Sequence, residues 1–408
     1  MIETNMKKFI AILILVVGTC AWSCQDDDMD HQADPKPKQV VKTNTTKVYM
    51  HVMPWFQSKE VSGYWGSHWR MANKNPETIL SNGHREIASH YYPLTGPYDS
   101  SDPDLVDYQV LLMKYAGIDG LLIDWYGSHA VLDYAANLKN TNAIAEGAKR
   151  VGLQFAIVYE DNTAYEVDRR KDFTAVEAAQ MDMTYAQEHY FSSADYIKID
   201  NKPLLMTFGP RYFLQGAQWT EILSVLNEKP TFLALWNHRH RLGAENASGE
   251  FAWVDFNANL EDLDHFYKTT NVGLQMGSAY PGFHDYYQQG GWGDSYGFVG
   301  HQQGAVLQQT LDKATEYQSP FIQLVTWNDY GEGTMIEPTV EFQYQFVELL
   351  QAYTGVTYSK SELETIHTYY IKRKEYKGNA DVQLKLNGVF DALNQLEVAK
   401  AQELLNNL

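Results

Sequence analysis

The stretch Gly120-Leu121-Leu122-Ile123-Asp124-Trp125-Tyr126-Gly127 decides the fold. It is continuously apolar, then ends in an acid and two aromatic rings before a glycine. A short apolar run between glycines reads as a buried strand. The preceding residues Leu105, Tyr108, Val110, Leu111, Leu112 and Tyr115 carry a helical pattern. The same design recurs along the chain. Val48–Trp55, Phe155–Tyr159, Leu204–Phe208, Phe232–Trp236, Ala252–Phe256, Val272–Met276 and Phe321–Trp327 are further strand candidates, which makes eight. Helical patterns occur at Thr174–Tyr190, Ala258–Thr269 and Gln303–Tyr317.

Runs that stay apolar throughout predict a parallel sheet covered on both faces. Eight is also the strand count that closes a barrel. The predicted fold is therefore α/β, a (β/α)8 TIM barrel over residues 47–355, with an open doubly wound sheet as the alternative. Segments 56–103 and 277–301 are predicted to be long rim loops of the kind that carry function. Residues 356–408 read as a C-terminal helical extension, with Leu384, Leu386, Val389, Leu393 and Leu396 as its apolar face.

The N-terminal end reads as an address. Lys7 and Lys8 precede an apolar run from Phe9 to Val17, too short to span a membrane and typical of a secretory signal. Ala21-Trp22-Ser23-Cys24 resembles a lipoprotein cleavage box, with Cys24 as the lipidated residue and Cys20 as a second candidate. The other reading is a plain cleaved signal. Gln25-Asp26-Asp27-Asp28 resembles the export signal of surface lipoproteins of the Bacteroidetes. The expected layout is a signal over 1–24, a flexible tether over 25–46, and an outer-membrane lipoprotein facing outward, with the periplasm as fallback. Cys20 and Cys24 are the two cysteines of the chain, so the barrel region has neither a disulfide nor a thiolate metal site.

Composition narrows the partners. There are 32 Lys+Arg against 51 Asp+Glu, a net charge of −19. That balance excludes a phosphate-binding cationic face, hence nucleic acid, and excludes adhesion to anionic lipid. Aromatics make up 13%, with 10 Trp and 28 Tyr, and flat rings suit the apolar faces of sugars. Most of them are expected in the core all the same.

In a barrel the site forms where strands end. The strand ends here read Met53-Pro54-Trp55-Phe56, Asp124-Trp125-Tyr126, Tyr159-Glu160-Asp161, Trp236-Asn237-His238, Tyr280-Pro281-Gly282-Phe283-His284 and Trp327-Asn328-Asp329-Tyr330-Gly331-Glu332. Rings, carboxylates and amides repeated around one rim fit a carbohydrate site. Asp329 and Glu332 are the candidate catalytic pair, because glycosidic cleavage needs an acid for the leaving oxygen and a base or nucleophile. Candidate sugar-binding residues are Trp125, Tyr126, Glu160, His68, Trp69, Trp236, Asn237, His238, Tyr280 and Asn328. Asp124 also reads as a buried barrel acid that anchors a neighbouring loop. Arg239 between His238 and His240 opposes a cation, so neither metal nor cofactor is expected.

Ser89-His90-Tyr91-Tyr92-Pro93 through Asp102-Pro103, the Trp125-Tyr126 strand end, Tyr159-Glu160-Asp161, Pro281-Gly282-Phe283 and Glu332-Gly333-Thr334-Met335-Ile336-Glu337-Pro338 together resemble glycoside hydrolase family 99. The resemblance spans most of residues 48–355. It implies a (β/α)8 barrel and endo-acting cleavage at α-1,2-linked mannose, with a base that takes the proton of the substrate's own 2-hydroxyl and an acid that protonates the leaving group. The chain departs from the family in having Asp329 where family 99 has Glu. Trp327-Asn328-Asp329-Tyr330-Gly331-Glu332 is also similar to glycoside hydrolase family 71, whose members cleave α-1,3-glucan. The expected partner is an α-linked, mannan-type oligo- or polysaccharide, and the expected state a monomer. The alternatives are a family 71-like α-1,3-glucanase and a non-catalytic glycan-binding lipoprotein on a degenerate barrel.

Overall fold

The computed structural model describes residues 36–408. The signal over 1–24, the lipidation at Cys24 and the first part of the tether lie outside the described residues.

Eight parallel strands form the barrel: β1 (Lys47–Val52), β2 (Gly120–Trp125), β3 (Gln154–Tyr159), β4 (Lys202–Thr207), β5 (Thr231–Leu235), β6 (Gly249–Phe251), β7 (Leu274–Ala279) and β8 (Phe321–Leu324). Each pairs in parallel with its successor, and Lys47–Met50 of β1 pairs with Phe321–Leu324 of β8 to close the ring. Each strand is followed by a helix: α1 (Pro103–Tyr115), α2 (Tyr134–Arg150), α3 (Ala175–Ala186), α4 (Gly216–Leu223), α5 (Arg239–Leu242), α6 (Glu261–Lys268), α7 (Ala305–Glu316) and α8 (Gln345–Thr354). This is the (β/α)8 barrel expected from the sequence. Its strands are apolar on both faces because one face fills the barrel and the other lies under the helices.

Several boundaries differ from expectation; β7, expected over Val272–Met276, is Leu274–Ala279. β6 is Gly249–Phe251 rather than Ala252–Phe256. Glu250 interrupts its apolar pattern, and the run that follows is a buried loop that carries Trp253 toward the barrel mouth. β1 stops at Val52 and β8 at Leu324, so their aromatic ends belong to loops. The segment 56–103 holds only two single-turn helices, Lys59–Ser62 and Ser67–Arg70, before α1 begins.

The extension forms α9 (Lys360–Glu375), α10 (Ala380–Asn394) and α11 (Val398–Asn406). Leu386, Val389 and Leu393 are buried at the three- and four-residue spacing of one helix face. Leu384 is 71% exposed, because two positions from Leu386 is the opposite side of the helix. The C-terminal end of α10 locks onto α1: Lys114 Nζ donates to the carbonyl and side-chain oxygens of Asn394, each at 2.7 Å, and the Tyr115 hydroxyl donates to Leu393 O at 2.8 Å.

The expected tether is partly a strap. Lys38 N donates to Asn394 O at 3.3 Å, and Thr43 N and Asn44 N both donate to Thr354 O at 3.1 and 3.0 Å. Lys42 pairs with Asp119. Asn394 and Thr354 end α10 and α8, and their carbonyls have no intrahelical donor, which accounts for this attachment of residues 36–46. Among the described residues, no helix is long and apolar enough to cross a membrane.

Candidate active site

A cleft of about 820 Å³ opens at the C-terminal ends of the strands. Five carboxylates line it: Asp124 after β2, Glu160 after β3, Asp262 in α6, and Asp329 and Glu332 in the loop after β8. Arg211, from the loop after β4, is on the same wall. Trp55, Tyr126, Phe208, Trp236, Trp253 and Phe256 supply rings.

Strand parity decides which rim residues reach this space. Successive side chains on a strand point to opposite faces. Asp124 and Tyr126 therefore face the cleft, while Trp125 points outward and is fully buried beneath α3. Its ring packs against Tyr159, Tyr185 and Tyr190 at 5.6, 6.3 and 5.8 Å. Trp125 is thus a core ring, not the expected sugar platform. The same parity splits Glu160 from Asp161. Glu160 faces the cleft, whereas Asp161 accepts the backbone N–H groups of Arg211, Tyr212 and Phe213, each at 2.8 Å. Asp161 thereby shapes the loop that presents Arg211.

His68 and Trp69 also part ways. His68 lines the cleft, stacked on Trp55 at 4.0 Å and 6°, and burial holds it neutral at about 3. Trp69 is buried behind it, 4.1 Å from Phe56, with its ring N–H on Tyr98 O at 2.7 Å. Trp236 and Asn237 line the cleft as expected. His238 does not, because the left-handed turn at Asn237 (φ 65°) diverts the chain into α5. Tyr280 is buried, and its hydroxyl is used up by Asp255, accepting from N at 3.1 Å and donating to O at 3.0 Å. Asn328 is a clamp between loops: Oδ1 accepts Met53 N–H at 2.8 Å, and Nδ2 donates to Met53 O at 3.0 Å and to the Tyr98 hydroxyl at 3.2 Å. Trp69, His238, Tyr280 and Asn328 thus leave the list of sugar contacts.

Sequence reasoning missed Arg211, Tyr287, His51, Trp253 and Asp262 as cleft residues. Parity along β1, counted from Met53, could have pointed to His51; nothing in the sequence marks Arg211 or Tyr287, which lie outside the strands.

The loop with the acid pair is fixed on several sides. Asp329 Oδ1 accepts the backbone N–H of Glu332 at 2.9 Å, and Asp329 N donates to Thr326 Oγ1 at 2.8 Å. Glu332 Oε1 accepts the Tyr287 hydroxyl at 3.1 Å. The carbonyls of Gly331 and Glu332 accept Tyr286 N–H and His284 N–H, both at 2.8 Å. Gly333 has φ 66°, and a Cβ there would meet His284 O at 2.6 Å, so only glycine fits.

A directed relay reaches the same loop from behind. His301 Nε2 lies 2.8 Å from Gly333 O, and a carbonyl only accepts, so Nε2 carries the proton. Burial keeps His301 neutral, at about 4, which leaves Nδ1 to accept the Tyr91 hydroxyl at 3.2 Å. The Tyr91 oxygen then accepts from His284 Nδ1 at 3.2 Å.

Burial raises Asp124, Glu160, Asp329 and Glu332. Asp329 is pushed up to about 7, opposed by the N–H groups of Glu332 and Gly331. Glu332 is pushed up to about 8 by burial and by the charge of Asp329. Asp124 rises to about 7 by burial, with Asp329 adding to the effect, and Glu160 rises well above its usual range by burial and the charge of Asp124. Such a site stores a proton on one acid beside a second acid that titrates at a lower pH. Among the described residues no group of three or more His, Cys, Asp or Glu is arranged to hold a metal ion.

A closed (β/α)8 barrel with paired acids, rings and one arginine in its C-terminal cleft is of the glycosidase type. No protein-family model matches the chain. It is 22% identical over 343 residues to a mouse glycoprotein endo-α-1,2-mannosidase-like protein, covering 76% of this chain and 73% of that one. It is 23% identical over 321 residues to the rat glycoprotein endo-α-1,2-mannosidase, covering 72% and 68%. Among solved structures, the family 99 endo-α-mannosidase of Bacteroides thetaiotaomicron superposes with a TM-score of 0.60 at 17% identity, over 80% of this chain and 99% of that chain. A glycoside hydrolase-like protein superposes with a TM-score of 0.53 at 13% identity, over 79% and 98%. The chain is thus similar in sequence to endo-α-1,2-mannosidase-like proteins and in fold to a family 99 endo-α-mannosidase.

Proposed function

We propose that the chain is a glycoside hydrolase of α-linked glycans with endo-α-1,2-mannosidase-like action, Glu332 being the general acid and Asp329 the general base. The observation that carries this reading is that both acids line one ring-walled cleft and Glu332 holds its proton to higher pH than Asp329. At neutral pH that order leaves a proton on Glu332 while Asp329 is partly ionised. Asp329 takes the proton of the substrate 2-hydroxyl as its oxygen closes on the anomeric carbon. Glu332 gives its proton to the departing glycosidic oxygen. Water then opens the resulting 1,2-anhydro sugar, returning both protons and the α configuration. Mannose-cleaving relatives support the substrate class, and the family 71-like motif at 327–332 keeps α-1,3-glucan as the comparison substrate.

Leaving-group chemistry tests the roles. Glu332→Gln should abolish cleavage of an α-mannan oligosaccharide but largely spare an aryl glycoside whose phenol leaves unaided. Asp329→Asn should damage both. Full activity of both variants on the natural glycan would sink the assignment, and Glu160 would be examined next. We further propose export and lipid anchoring at Cys24, with the body facing outward. Fatty-acid labelling that persists in Cys24→Ala would move the anchor to Cys20.

A further inference from the structure

The active-site cleft does not end at Trp236. That half-buried ring, with Asn237 and Asp262, is a wall shared with a second pocket of about 300 Å³, whose other side is built from Arg239, His240, Glu250 and His265. Its size is at the small end of ligand pockets, roughly 300–1,000 Å³. Trp236 packs edge-on against Phe266 at 6.0 Å, and Phe266 lines the second pocket as well.

The chemistry of the lining narrows the occupant. Arg239 Nε is buried without a hydrogen-bond partner, and its Nη1 reaches Asn271 O only at 3.4 Å. An unsatisfied buried donor is costly unless a ligand completes it. A formally anionic ligand is disfavoured, because the carboxylates of Glu250 and Asp262 line the same pocket. Donors and acceptors interleaved beside an indole face suit a neutral ligand whose groups both donate and accept, that is, the hydroxyls of a sugar.

We infer that this pocket binds a further neutral sugar unit of the glycan, beyond those held over the acid pair, and so makes the protein select longer chains. The inference rests on the proposed function. The selection acts on substrate capture, since none of these residues touches the carboxylates of the acid pair.

The test is a ladder of reducing-end-labelled α-mannooligosaccharides of increasing length. For the unaltered protein, KM should fall about tenfold at the length that first reaches the pocket, the worth of two neutral hydrogen bonds. His240→Ala combined with His265→Ala should remove that gain while leaving kcat and the kinetics of shorter chains unchanged. Both histidines are exposed, so the fold is expected to tolerate the change. Thr269→Trp, which fills the pocket from α6's end, should do the same. Equal losses on short and long chains, or a KM independent of length, would overturn the inference while leaving the proposed function standing. Failure of the unaltered protein to cleave any α-glycan would overturn both.

Discussion

The hydroxyl of Tyr287 donates to Glu332 Oε1 at 3.1 Å, joining the proposed acid to a loop from the neighbouring strand. This bond favours the ionised carboxylate and so works against the burial that raises its pKa. Tyr287→Phe should therefore move the pKa of Glu332 further up. Because the acid acts when protonated, the alkaline limb of the kcat/KM profile should shift upward by roughly one pH unit. An unmoved limb would show that this carboxyl is not the titrating acid.

Asp161 and Arg211 should act as one unit. Asp161→Asn keeps one oxygen but turns the other into a donor, so at least one of the three backbone N–H groups loses its acceptor and the Arg211 loop should loosen. We expect kcat/KM to fall on the order of tenfold or more, by analogy with the cost of removing one charge-assisted hydrogen bond. Arg211→Met should fall similarly, and the double variant little further. Additive losses in that cycle would separate the two residues.

Trp125 and Trp236 should respond in opposite ways. Trp125→Ala opens a cavity under α3 and should cost about 3–5 kcal/mol of stability with KM unchanged. Trp236→Ala should leave the melting temperature nearly intact and weaken glycan binding by about 1–3 kcal/mol, taking ring–base stacking as the guide. Calorimetry and KM on the same preparations would decide, and a stable Trp125→Ala with weakened binding would reverse the assignment.

The buried acids predict an unusual pH dependence of stability. Asp124 and Asp329 stand at about 7, Glu337 at about 7 and Glu332 at about 8 in the folded chain, all raised by burial. A raised acid binds more protons folded than unfolded, so its stabilising contribution is present at low pH and is lost as pH climbs through the folded value. His51 and His301 are lowered to about 4 by burial and act oppositely, but only below the free imidazole range near 6.5. Between about pH 6.5 and 8 the acids act without that opposition, and the melting temperature should fall. A flat or rising profile there would contradict the arrangement.

The barrel was legible in the sequence because its strands are apolar on both faces, a pattern that survives errors of a few residues at each end. β6 was misplaced since Glu250 breaks its pattern and the apolar run beyond it is a loop. The acid pair was legible from Trp327-Asn328-Asp329-Tyr330-Gly331-Glu332. The aromatic assignments were weaker, because sequence gives a ring its position but only parity gives it a side. Trp125 beside Tyr126 and Trp69 beside His68 show the point: one ring of each pair meets the cleft and the other is structural. Arg211 and Tyr287 reach the site from irregular loops whose course depends on bonds such as those of Asp161, invisible before the chain is folded.

The many ties between the loop after β7 and the loop after β8 bear on how this scaffold can be remodelled. Backbone bonds join His284 and Tyr286 to Glu332 and Gly331, a histidine holds Gly333, and a tyrosine holds Glu332. Residues 280–301 and 327–338, with Tyr91, therefore form one cassette for loop exchange. Grafting a relative's sequence into either loop alone would strand its partners, while moving all three together should carry the whole acid-bearing wall intact.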